Sequence, residues 1–260
     1  NEPRRLVGKI PPEIGNAALL ENLDLDRNEL TGEIPVEMFN NTALKVLDLD
    51  NNMLTGIIPD MFDKLDQLEY LTIGSNMFDS QPMPSSIATL SQLQYLALQK
   101  SSLTGEIPPS YGDLTNLVAL DIGNNKLKGS IDVIDDFPSL NSLSVKENTL
   151  SGTIPQSLWN NGNMRVIDVE NNDFGGTISP KVGEMVYLRT LKLASNDLTG
   201  EIPASLKNLT NLRVLSLERN TFDDGSVVPT DVCEKKERDI IITIDENIDC
   251  PGMCCTVVKP

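Results

Sequence analysis

Apolar residues recur along this chain in the frame LxxLxLxxNxL, where positions 1, 4 and 6 are aliphatic and position 9 is asparagine. The frame begins at Leu20, Leu44, Leu68, Leu93, Leu117, Leu140, Met164, Leu188 and Leu212, at intervals of 24, 24, 25, 24, 23, 24, 24 and 24 residues. Alternation of apolar and polar positions within the frame has the period of a β-strand. Leu20, Leu23 and Leu25 of the first unit therefore point inward, and the residues between them face out. A unit this short cannot bury its apolar side alone, so stacking on its neighbours must supply the core. The pattern predicts a stacked array over residues 20–230, preceded by a partial unit over 1–19 and followed by a cap over 231–260.

After the asparagine most units continue as LTGEIP (at Leu30, Leu103 and Leu198) or as the variants LTGIIP at Leu54 and LSGTIP at Leu150. Over residues 6–230 this resembles the plant-type leucine-rich repeats of receptor-kinase ectodomains, receptor-like proteins and polygalacturonase inhibitors. The resemblance implies an α/β solenoid, a right-handed superhelix with a parallel sheet on its concave face and 3-10 or short helical returns on its convex face. It also implies that the column Asn28, Asn52, Asn76, Asn125, Asn148, Asn172, Asn196 and Asn220 is buried and bonds turn backbone groups. An unpaired buried amide costs about 1–3 kcal/mol. Ser101 interrupts the column with a shorter side chain, which predicts a local irregularity.

Departures from the repeat mark other special places. SQPMP after Phe78 adds one residue and DDGSVVP after Phe222 adds two, and both are expected to bulge from the convex side or an edge. Leu6, Gly8, Ile10 and Pro11 match the second half of a unit whose strand would lie upstream. All four cysteines, Cys233, Cys250, Cys254 and Cys255, follow the last repeat. Pairing Cys233 with Cys250 would force a strained bridge between adjacent residues, so two connectivities remain open. Zinc is the weaker alternative, because CxxC spacing and histidine are both missing. Disulfides place the chain in an oxidising compartment, and sequons at Asn40 and Asn208 on return segments agree with secretion or cell-surface display. No run of apolar residues is long enough to span a membrane, and no signal peptide opens the chain.

Charge and absent chemistry narrow the function. With 38 acidic against 21 basic residues the formal charge is -17, which repels nucleic acid and anionic lipid and favours a cationic partner. There is no histidine and no phosphate-cradling glycine motif, so the usual catalytic bases and nucleotide sites are missing. Asp24 and Asp48 share one outward slot on adjacent strands, and Asp26 and Asp50 share the next, with about 4.8 Å between strands. On an open wet sheet they are expected to gain no desolvation that would make a general acid. Three readings of this quartet stand: a solvated face, a cationic ligand site, or calcium, for which six to eight oxygens are not in evidence. Tyr70 and Tyr95 share a slot beside Thr72, Gln99 and the gap left by Gly74, the pattern of a binding anchor. Further along, Asp121, Asp168 and Glu170 alternate with Ser144, Lys146 and Lys192, and Arg165, Arg189 and Arg213 form a basic margin.

The sequence thus reads as a non-enzymatic recognition module without cofactor, binding an extracellular peptide, protein or glycan on its concave face. The alternatives are an inhibitor of a wall-degrading enzyme and a structural subunit of an extracellular assembly. An ice-binding face is disfavoured, because the threonine column Thr31, Thr55, Thr104 and Thr199 is broken by Asp79, Lys128 and Asp223.

Overall fold

A computed structural model describes residues 5–233, 240–252 and 254–258. The chain divides into two compact units, one of residues 1–127 with 136–139 and one of 128–135 with 140–260. Each coil contributes one short parallel strand from its LxL segment. In the first unit Asn22–Asp24, Val46–Asp48, Tyr70–Thr72, Tyr95–Ala97 and Ala119–Asp121 pair in sequence order, with Leu23, Leu47, Leu71, Leu96 and Leu120 in register. In the second, Ser142–Ser144, Val166–Asp168, Thr190–Lys192 and Val214–Ser216 continue into Ile241–Ile244 and Cys255–Val257. The central aliphatic residue of each repeat strand is buried, so a one-residue slip would turn every core side chain outward. Leu20 and Leu25 are only half-buried, contrary to expectation, because Asn22–Asp24 is the edge strand of its sheet among the described residues.

The returns are mostly five-residue 3-10 helices, such as Val36–Asn40 and Ala204–Asn208. Each of these two is entered through an extended proline, Pro35 or Pro203, whose ring fixes the φ that the turn needs. One return, Gln156–Asn160, is α-helical and buries Trp159. A feature the frame did not predict is a second set of parallel strands made by the LTG segments. Val7–Lys9, Glu29–Gly32 and Met53–Leu54 pair in the first unit, and Thr149–Thr153, Asp173–Gly176, Asp197–Gly200 and Thr221–Phe222 in the second. The glycine of the segment sits at positive φ, for example +78° at Gly32, where a β-carbon would be strained.

The asparagine column is buried or half-buried and works as the resemblance implied. Asn52 Nδ2 donates to the carbonyls of Leu25 and Leu49 at 2.9 and 3.1 Å, and its Oδ1 accepts from the Leu30 amide at 3.1 Å. Asn76, Asn172, Asn196 and Asn220 repeat that geometry. The irregularity expected at Ser101 is present. Every coil takes positive φ at the residue before this slot, as Lys100 does at 51°, but here Ser102 after it also takes positive φ, 55°, and Asn125 Oδ1 accepts from the amides of both Ser101 and Leu103.

In SQPMP, Ser80 and Pro82 stand exposed while Gln81 turns inward, its Oε1 accepting from the Ile58 amide at 2.8 Å and its Nε2 donating to the Asp79 carbonyl. In DDGSVVP, Asp223, Asp224 and Gly225 stand exposed, while Ser226 and Val228 are buried. In the tail the cysteines pair as Cys233–Cys254 and Cys250–Cys255, one of the two open connectivities.

Candidate ligand-binding face

The outward slots of the first unit carry the candidate site. Asp24, Asp48 and Asp121 each end a strand, and each carboxylate accepts the amide two residues on: Asp26 at 3.2 Å, Asp50 at 3.0 Å and Gly123 at 3.0 Å. Asp168 of the second unit does the same for Glu170 at 3.4 Å. This first slot therefore has a local turn-capping role that the sequence reading missed. Its signal was aspartate at the same strand-end position in four coils, since aspartate favours such side-chain-to-backbone bonds.

The second slot is different. Gln99 reaches across one strand to Asp50, its Nε2 donating to Asp50 Oδ1 at 2.9 Å. It can do so because Gly74 lies between them. A β-carbon at Gly74 would come within 2.4 Å of Gln99 Oε1 and 2.5 Å of its backbone oxygen. Burial and the nearby Asp48 raise the pKa of Asp50 above the usual carboxylate value. Asp26 is raised as well, by desolvation and by Asp24 and Asp48. The expectation that these carboxylates gain no desolvation is thus corrected: Gln99 and the neighbouring strands shelter Asp50 from water.

Beside them Tyr70 and Tyr95 meet with ring centroids 5.1 Å apart and planes tilted by 38°. Tyr95 is 40% exposed and offers its ring to solvent. Burial, with help from Asp48, raises the hydroxyl pKa of Tyr70. Two buried polar atoms here, Thr72 Oγ1 and Gln99 Oε1, have no hydrogen-bond partner among the described residues. Most such groups in folded proteins are satisfied, so an unpaired hydroxyl and an unpaired carbonyl oxygen beside Asp48 and Asp50 leave hydrogen-bonding capacity unused in an acidic patch. Asp24, Asp26, Asp48 and Asp50 do not bring three carboxylates to a common point. The one such cluster of potential metal ligands among the described residues is the four cysteines.

In the second unit the predicted residues are neutralised by their own neighbours. Asp168 Oδ2 lies 3.8 Å from Lys146 Nζ and 3.6 Å from Lys192 Nζ, and Glu170 is 3.4 Å from Lys192. Burial lowers the Lys192 pKa, but Asp168 and Glu170 outweigh it and hold the ammonium charged. Arg165, Arg189 and Arg213 stand exposed one strand apart, as the spacing predicted. Asn40 and Asn208 are exposed at the ends of their return helices, away from the sheet strands.

Repeats, parallel strands and asparagine ladder define a leucine-rich repeat protein of the plant type. Family profiles described as leucine rich repeat match residues 18–78 and 187–209. No curated protein matches the sequence. Among solved structures, the plant peptide hormone receptor RGFR1 in complex with RGF2 superposes with a TM-score of 0.84 at 32% identity, over 95% of this chain and 39% of that one. The Arabidopsis receptor kinase HAESA, solved with the peptide hormone IDA and the co-receptor SERK1, gives 0.82 at 27% identity, over 98% and 45%. A plant ice-binding protein gives 0.74 at 25%, over 87% and 72%. The chain thus spans less than half the length of either receptor structure.

Proposed function

We propose that the chain is a non-enzymatic recognition module, secreted or displayed outside the cell, whose first-unit sheet face binds a cationic peptide or protein segment. In this reading residues 20–230 are the recognition array, 1–19 a partial repeat and 231–260 the cap. One observation carries it: two buried acceptor-capable groups, Thr72 Oγ1 and Gln99 Oε1, lie unpaired in an acidic patch. Arginine and lysine side chains supply donors without acceptors, so an incoming guanidinium or ammonium can bond the carboxylates and, after a small side-chain shift, these two oxygens. The exposed Tyr95 ring adds a face on which such a cation can rest. Similarity to peptide-binding receptor ectodomains supports the same reading by analogy.

Panning a random peptide library against the wild type and against an Asp50→Asn/Gln99→Leu variant tests it. The wild type should enrich sequences with arginine or lysine, and the variant should lose that enrichment. For any peptide so captured, replacing Asp24, Asp26, Asp48 and Asp50 by asparagine should slow association and flatten its salt dependence, whereas Tyr95→Ala should speed dissociation. Enrichment of neutral or acidic peptides, or equal enrichment by both proteins, refutes the proposal and favours a structural subunit. The ice-binding alternative draws on one structural likeness, but its threonine column remains interrupted by Asp79, Lys128 and Asp223.

A further inference from the structure

The two-residue insertion DDGSVVP, which the sheet-face site does not use, walls a cavity of about 360 Å³ in the second unit. Ile202 and Val227 line it with apolar surface, and Glu201, Asp223 and Asp224 supply carboxylates. That volume lies in the lower range of small-molecule sites. The wall is braced: the Gly225 amide donates to the Asn247 carbonyl, Asn247 Nδ2 to Asp224 Oδ1 at 3.1 Å, and the Val228 amide to the Asp249 carbonyl at 2.9 Å. Ser226 sits in it, 5% exposed. Its amide donates to Asp223 and its carbonyl accepts from Asp249, yet its hydroxyl has no partner among the described residues. A braced wall that leaves one buried hydroxyl unpaired beside a cavity is a polar group available to a ligand once it turns toward that cavity.

We propose that this cavity is a second ligand site, separate from the sheet face, for a small primary amine with an apolar body. Three carboxylates select positive charge, the apolar lining selects a hydrocarbon stem, and the Ser226 hydroxyl accepts one ammonium proton. A metal ion fits less well. Among the described residues Glu201, Asp223 and Asp224 do not converge within reach of one ion. The cavity also far exceeds the volume of a bare cation, whereas an arylalkyl or alkyl amine uses both its charge and its apolar surface.

Titration of the full chain with 2-phenylethylamine, followed by amide NMR shifts, tests the proposal. Resonances of Gly225, Ser226 and Val227 should move, and 2-phenylethanol and 3-phenylpropanoate should bind about tenfold more weakly or worse. Ser226→Ala and Asp223→Asn should each weaken the amine severalfold while leaving the far-ultraviolet circular dichroism unchanged. The wild-type comparison of amine with alcohol stands whatever the variants do. Equal affinity for the alcohol, or shifts confined to the Tyr70 and Tyr95 strands, overturns the proposal. So does binding of a lysine-containing peptide where the free amine does not bind, or displacement of the amine by calcium at equal concentration.

Discussion

Replacing Asp50 by asparagine should stabilise the protein. Asp50 lies one strand from Asp26, about 4.8 Å away, and two residues from Asp48, and both neighbours push its pKa up. Like charges at such separations repel by about 1 kcal/mol each in water, so removing one member gains about 1 kcal/mol after screening. Its bond from Gln99 survives, because an asparagine Oδ1 accepts as well as a carboxylate oxygen. For a chain of this length the gain corresponds to about 2–4 °C in Tm. Urea denaturation at low salt and pH 7 should show it, and high salt should shrink it.

The pH dependence has a definite sign. Because the folded state raises the pKa above the ordinary 3.8 of an aspartate, the native protein holds this proton more tightly than the unfolded chain does. The cost of the charge is present above the raised pKa and is relieved as pH falls through it, so the advantage of Asp50→Asn should close towards 3.8. Asp60 provides the contrast. Desolvation raises its pKa, but hydrogen bonds from Ser86 and Ser85 outweigh it and lower the value below 3.8. Asp60 should therefore stabilise above 3.8 and lose that contribution as pH falls through its lowered pKa. A carboxylate that costs stability, held beside unpaired acceptors, fits a surface shaped by binding. If Asp50→Asn instead destabilises by 1 kcal/mol or more at low salt, the carboxylate is a structural bond acceptor and the functional reading of this slot fails.

Four further outcomes follow from the geometry. Gly74→Ala should destabilise by about 1–3 kcal/mol and abolish the Gln99–Asp50 contact, seen as loss of basic-peptide capture. Asn196→Ala, which strips partners from the Phe174 amide and three carbonyls, should cost about 3 kcal/mol in urea denaturation. Non-reducing peptide mapping should recover Cys233 with Cys254 and Cys250 with Cys255, and free thiols would contradict the cap. Expression in a secreting eukaryotic cell should add glycan at Asn40 or Asn208, read as a mass loss on glycosidase treatment.

The repeat frame made the strands, the register and the asparagine column legible, because side-chain alternation and a 24-residue period are written directly in the chain. Positions on the open face followed from the same frame. What the sequence did not disclose depended on distances between residues far apart in sequence. The Gln99 bridge needs the missing β-carbon of Gly74 to be seen in place, and the inward turn of Gln81 needs the open Ile58 amide beneath it. The second sheet was hidden because LTG reads as a turn, and its pairing partners lie a whole coil away. Choice between the disulfide pairings likewise required the folded tail.

The asparagine ladder also has a temporal meaning. Each amide side chain serves the coil before its own: Asn52 meets the Leu25 carbonyl and the Leu30 amide, and Asn196 meets Val169 and Phe174. On a ribosome that emits the N-terminus first, a newly emerged turn therefore stays incomplete until roughly one more coil has been synthesised. Ser195 and Asn196 donate their amides to the Glu218 and Arg219 carbonyls one coil on, but Arg219 and Asn220 instead donate theirs to the Asp245 carboxylate. One aspartate there takes over from backbone carbonyls. Vectorial synthesis ends its sequence of waiting turns at Asp245, so a nascent chain halted before that residue would leave the last turn open.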